Sequence, residues 1–289
     1  MSRWQLYLKL IRFDKPVGTL LLLWPTLTAL WIASGGLPSW QILLIFCAGT
    51  FLMRSAGCAM NDVADRDYDR HVARTRDRVV TSGLVSVPEA LLVALILVMM
   101  AGVLILPLPK SVWILAVVAV VLAGTYPFFK RFFSIPQAYL GIAFSFGIPM
   151  AFAAVQGSVP WQAWGLLLAN AFWVLAYDTE YALVDKADDL KIGIKTSAIT
   201  LGTWVVPAIL LFYALFLAGT SLMGSWLGLG WPFLVGIAVA SALAGWHYGL
   251  IKGQQPESCF RAFRSNHWLG AAIFVGTVLD YLPHLRAAV

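Results

Sequence analysis

Asn61, Asp62, Asp65 and Asp69 stand in the stretch NDVADRDYD, where a long hydrophobic run gives way to charge. Continued as a helix at about 100° per residue, these four fall within an arc of roughly 100°. One face then presents three carboxylates and an amide, and like charges at helical spacing repel. A second set follows in YDTEYALVDKADDLKIGIKTSAI, where Asp178, Asp185 and Asp189 share a helix face. Asp188 joins its edge and Glu180 lies off the line. Two such sets call for a cation between them. Hard oxygen donors suit Mg²⁺, which takes a few carboxylates together with waters and phosphate oxygens. Zinc is poorly served, because the four histidines are scattered and no cysteines are paired.

Basic residues surround the acids. Arg74, Arg76, Arg78, Lys130, Arg131, Lys191 and Lys195 are candidate contacts to a diphosphate. Arg54 is different, because it lies inside the hydrophobic run, seven residues before Asn61 and on nearly the same helix face. An ionisable group in a membrane span is costly and marks a candidate site. It could hold an aspartate in place or bind an anionic substrate deeper in a cavity. Read more blandly, the loop arginines form a solvated face carrying topology signals. Spacing alone does not separate a Mg²⁺–diphosphate site from an ion-coupled transport site.

The elements that position these residues are apolar. The chain has 289 residues, 60% of them hydrophobic and 12% charged, with a mean hydropathy of +0.80. That is a membrane composition, not a soluble one. An all-α, multi-pass fold is expected, with nine spans at about 17–34, 41–60, 89–107, 111–128, 136–156, 160–182, 204–223, 231–250 and 267–283. The first is read as a retained helix rather than a signal peptide. The longest polar segment, about 61–88, is too short for a core of its own, so residues 1–289 are read as one domain. With these spans, seventeen of the 20 lysines and arginines fall on one side. The positive-inside rule then puts the N-terminus in the cytoplasm and the C-terminus on the far side. The net charge of +6 therefore reports topology rather than nucleic-acid binding. Three cysteines without a CxxC pair read as packing residues.

Together these motifs resemble the UbiA superfamily of intramembrane aromatic prenyltransferases. NDVADRDYD is similar to that family's first aspartate motif, and DKADD (Asp185–Asp189) to its second. RFDKPVGTLLLLWPT, MRSAGCAMND, YPFFKR and the surroundings of the second motif resemble its hydroxybenzoate branch. The resemblance implies nine helices around a central cavity, capped by short helices in the cytoplasmic loops. It implies Mg²⁺ as cofactor, held by Asn61, Asp62, Asp65, Asp69, Asp185 and Asp189, with Asp65, Asp69, Asp185, Asp189 and Arg54 carrying the catalysis. Arg54 resembles the residue that meets the carboxylate of the aromatic acid. Polyprenyl diphosphate and 4-hydroxybenzoate are the implied partners, within a bacterial inner membrane and toward ubiquinone, with no obligate protein partner. Another quinone precursor or haem as acceptor stays open, and so does an ion-coupled transporter. Val79 stands where the family pattern has proline, and Phe132 and Phe133 where it has tyrosine and threonine.

Overall fold

The computed structural model describes residues 1–129 and 131–287. Among them no strand is formed, and the chain is a bundle of helices: α1 (Arg3–Leu10), α2 (Val17–Ser34), α3 (Trp40–Ala64), α4 (Arg66–Asp69), α5 (Val87–Leu104), α6 (Lys110–Phe129), α7 (Pro136–Ser145), α8 (Gly147–Gln156), α9 (Trp161–Ile192), α10 (Ser197–Thr200), α11 (Val205–Trp226), α12 (Trp231–Ile251), α13 (Pro256–Ser265) and α14 (His267–Ala287). Seven segments of the described chain are long and apolar enough to cross a membrane: α2, α3, α5, α6, α7 with α8, α11 with the turn before it, and α12. The chain is a multi-pass membrane protein. The expected count of nine also included α9 and α14, which form as helices. In α9 the apolar character is diluted by polar residues that face the bundle interior, Asn170 and Glu180 among them.

Sequence explains the departures from simple rods. The expected span 136–156 breaks at Phe146 into α7 and α8. Pro149 has no N–H to return to Ser145, so the helical ladder is interrupted there. The continuous helix expected from span 2 into the first acidic motif ends at Ala64, and Asp65 closes it with φ −93° and ψ 3°. A single turn, α4, then carries Asp69.

Helices α5 and α6 turn Leu92, Leu95, Ile114, Val118 and other apolar side chains outward, as a lipid-facing layer does. Inside, small residues let backbones meet. A Cβ on Gly236 of α12 would fall 2.6 Å from the Ala272 carbonyl oxygen of α14, so glycine is what permits that approach. The polar segment after α4 is held by a small second core of Leu6, Leu10, Ala59, Val79, Val80 and Val85 with Ala90 and Ala94. Val79 is buried there, which gives the apolar substitution at this place a packing role. Tyr7 donates to Glu89 at 2.5 Å and Arg3 donates to the Leu84 carbonyl at 2.7 Å, tying α1 to the foot of α5.

Candidate active site

Both acidic motifs open onto one cavity of about 1480 Å³. Asn61, Asp62, Asp65 and Asp69 line it from α3, the break and α4, while Asp178, Asp185 and Asp189 line it from α9. Helix α9 runs about ten residues past the expected end of its span, which keeps the second motif helical and its three aspartates on one face. The deeper wall is apolar, with Val98, Ile105, Val117, Val121 and Phe144 facing the space. The cavity therefore has a charged mouth and an oily interior.

Guanidinium groups sit on the carboxylates. Arg12 donates to Asp62 Oδ1 at 2.6 Å. Arg78 lies 3.2 Å from the same oxygen and donates to Asp69 Oδ2 at 2.7 Å. Arg74 grips Asp185 with two hydrogen bonds, one of 3.0 Å from Nε and a second from Nη2. Its guanidinium also lies 4.5 Å over the Tyr181 ring. The Arg74–Asp185 pair ties the loop after α4 to α9 across the cavity mouth, and the Ala73 N–H adds a bond of 3.2 Å to Asp188. Burial pushes the Asp69 carboxyl above the ordinary carboxylate range, and the Arg78 charge pulls it only partly back.

The donor set fits a hard divalent cation. Asp62 is buried, and its Oδ2 has no hydrogen-bond partner among the described residues. A buried carboxylate oxygen left unpaired is costly unless something positive meets it. Among the described residues, the acidic groups do not converge closely enough to enclose a metal in this arrangement. Arginines occupy the space between the two motifs instead.

Arg54 lines the cavity deeper than the acids, on the wall that Gly18 of α2, Gly57 and Cys58 also form. Its Nη1 donates to the Cys58 sulfur. Tyr177 is buried close by on the same cavity, and its hydroxyl has no hydrogen-bond partner among the described residues.

The remaining basic candidates are placed differently. Arg76 is exposed and only 3.9 Å from Asp77. Lys191 is exposed and bonds Asp188 at 3.1 Å on the outer edge of α9. Lys195 donates to the Phe132 carbonyl at 3.1 Å. Arg131 donates to the Ala64 carbonyl at 3.4 Å and lies near the Tyr68 and Phe128 rings. None of these four lines the cavity, whereas Arg74 and Arg78 do. Lys130 lies outside the described residues.

Comparison with known proteins now bears on this geometry. The family model described as the UbiA prenyltransferase family matches residues 22–270. The chain belongs to that family. It is 62% identical over 281 residues to the 4-hydroxybenzoate octaprenyltransferase of Cupriavidus metallidurans, covering 97% of this chain and 96% of the relative. To the enzyme of the same name from Herminiimonas arsenicoxydans it is 59% identical, covering 98% and 99%. The fold is similar to the apo structure of a UbiA homolog from Aeropyrum pernix, with a TM-score of 0.80 at 24% identity, covering 91% and 98%. It is also similar to a UbiA homolog from Archaeoglobus fulgidus bound to GPP and Mg²⁺, with a TM-score of 0.69 at 18% identity, covering 95% and 99%.

In this UbiA-family chain, the sequence places Arg12 at the start of RFDKPVGTLLLLWPT without assigning it a role in the site, yet it reaches a buried aspartate fifty residues away. Arg12 has φ 57°, a left-handed conformation that an arginine adopts at a cost of roughly 1–3 kcal/mol. The signal that could have singled it out is local: it follows α1 and precedes Pro16, where the chain must turn sharply into α2.

Proposed function

We propose that the chain transfers a polyprenyl group from polyprenyl diphosphate to the ring carbon ortho to the hydroxyl of 4-hydroxybenzoate, in ubiquinone biosynthesis. The observation that carries this reading is the placement of both aspartate motifs at the mouth of one cavity whose interior is apolar. The names of the relatives support the acceptor and an eight-isoprene donor. A transporter predicts charge near the middle of the bilayer and broken helices that line a path. Here the acids gather at one end of the bundle helices.

Asn61, Asp62, Asp65 and Asp69 would hold Mg²⁺ from one side, and Asp185 and Asp189 from the other. When bound, Mg²⁺ supplies positive charge that stabilises a departing diphosphate. The chain's own groups do the rest. Arg12, Arg74 and Arg78 already stand at the carboxylates bordering that position. Transferring their hydrogen bonds to phosphate oxygens offsets the charge that builds as the allylic C–O bond breaks. The apolar wall receives the prenyl tail and keeps bulk water from the allylic cation. Arg54 holds the acceptor's carboxylate, which turns the ring toward the cation. The ring carbon forms the new C–C bond, and loss of its proton restores aromaticity. Asp185 or Asp189 would accept a hydrogen bond from the phenol and enrich the ring in electrons. Arg76, Lys130, Arg131, Lys191 and Lys195 remain proposed diphosphate contacts of the outer loops, Arg76, Arg131, Lys191 and Lys195 being farther from the cavity.

We place the chain in a bacterial inner membrane as a single domain, with α9 and α14 completing nine crossings and α1, α4, α10 and α13 forming the cap. The N-terminus is cytoplasmic and the C-terminus periplasmic. The test is product analysis. Purified protein with Mg²⁺, octaprenyl diphosphate and a panel of phenolic acids should yield ortho-prenylated 4-hydroxybenzoate, with none after chelation of the metal. Undiminished product in excess chelator, or a preference for an acceptor without a carboxylate, would overturn it.

A further inference from the structure

Gly18 is the second residue of α2, and its backbone does not need glycine. Its φ is outside the left-handed region, where other positions of the chain do use glycine. Residues with a side chain favour a helix more than glycine does. The reason for glycine lies across the gap to α3. A Cβ built on Gly18 would fall 2.7 Å from Arg54 Nε and 2.9 Å from Cζ, and closer still to Nη2. The guanidinium of Arg54 therefore lies close against the bare backbone of α2 at Gly18. Cys58, one turn further along α3 from Arg54 itself, receives Nη1. The cation therefore lies against the bare backbone of α2 and bonds a soft acceptor on its own helix, α3.

We propose that Gly18 is a positioning residue for Arg54 that sets how deep the guanidinium lies and so selects an acceptor bearing a carboxylate. This inference rests on the reading that Arg54 meets that carboxylate. The notch matters because a charged hydrogen bond needs its geometry. A methyl group in the notch moves a flexible side chain rather than the backbone, so the fold is kept and the anion loses its aligned partner. The diphosphate end is expected to be affected less, because the three atoms that a Cβ on Gly18 would meet first all belong to Arg54 and none to Arg12, Arg74 or Arg78.

The test compares two acceptors, 4-hydroxybenzoate and its methyl ester, in four proteins: the wild type, Gly18→Ala, Arg54→Ala and the double variant. Discrimination is the ratio of kcat/KM for the acid to that for the ester, measured at saturating donor. Because it is a ratio within one protein, partial loss of folded material does not move it. In Gly18→Ala the ratio should fall about 10–100-fold, the size expected when a charged hydrogen bond is misaligned. The KM for the prenyl donor should stay within about twofold and the unfolding temperature should hold or rise slightly. In the Arg54→Ala background the glycine substitution should change nothing further, since no guanidinium is left to displace. If Arg54→Ala lowers the ratio while Gly18→Ala leaves it unchanged, the positioning role is overturned and the arginine's role stands. If Arg54→Ala itself leaves the ratio intact, the carboxylate reading fails first. Equal loss toward donor and acceptor in Gly18→Ala would also overturn the proposal, because it would mark a general defect of the cavity.

Discussion

Asp62 is the residue on which the electrostatics of the mouth turn. Its carboxylate is buried, and of its two oxygens one is shared by Arg12 and Arg78 while the other is unpartnered. Removing Arg12 leaves the aspartate short of a charged hydrogen bond worth about 1.5–3 kcal/mol. Arg12→Ala should therefore raise the KM for the prenyl donor about 10–100-fold in steady-state assays, with the acceptor KM much less affected. Asp69 gives a pH prediction. Burial raises its pKa, so at a given pH it is ionised less than an ordinary carboxylate. With Asp69 holding Mg²⁺ as proposed, protons compete with the metal, and Mg²⁺ affinity should fall as pH drops through that raised value and level off above it. Calorimetric titration of Mg²⁺ between pH 5 and 8 reads this; affinity that rises toward low pH contradicts it. Cys259 is buried, and burial and the nearby Glu180 push its thiol up to about 11. It should stay unlabelled by maleimide at pH 8 in folded protein and react once the protein is unfolded. Arg12 was the residue the sequence hid. Its partner lies in another helix, and only the turn into α2 brings the two together.

Helix α9 works as an element with two faces. One carries Asp178, Asp185 and Asp189 into the cavity. The other carries Glu180 into a closed polar cluster. Tyr213 of α11 donates to Glu180 at 2.9 Å, Asn266 donates to it at 2.7 Å, and Trp173 donates to Asn266 at 2.9 Å. His247 of α12 lies 3.0 Å from the Tyr213 hydroxyl and 3.0 Å from Ser265. All are buried apart from Ser265, so each group left unpaired costs about 1–3 kcal/mol. Glu180→Ala should lower the unfolding temperature markedly in a detergent melt, and Glu180→Gln should restore part of it. The cluster fixes the rotation of α9 about its axis, and with it the direction of the second aspartate motif. From sequence, the helical spacing separated Glu180 from the acidic line. What it packed against was not legible, because its partners come from α11 and the junction of α13 with α14. The break at Asp65 was missed for a related reason. Periodicity extends a helix until a breaker appears, and ADRD contains none.

At the scale of the molecule, charge placement decides topology. The apolar segments were legible because a bilayer demands long runs of one composition. The expected span 17–34 coincides with α2, and 231–250 falls one residue short of α12. The loop cations were less legible as ligands. A charge that obeys the positive-inside rule need not face the cavity, and Arg76 and Lys191 face outward. Single cysteines at Gln254 and Ser158 would report the proposed orientation in inverted and right-side-out vesicles. Gln254→Cys should label only from the cytoplasmic face and Ser158→Cys only from the opposite face. Labelling of both from one side would require recounting the crossings.

The central claim is that the two aspartate motifs serve one diphosphate. It is tested most directly by turnover in Asp65→Asn and Asp185→Asn, each purified, shown to be folded by thermal melt, and assayed at saturating Mg²⁺ and both substrates. Each substitution alone should lower kcat by at least about 10²–10³-fold, the loss seen when charge stabilisation of a transition state is removed. Near-wild-type turnover in either folded variant would contradict a shared site.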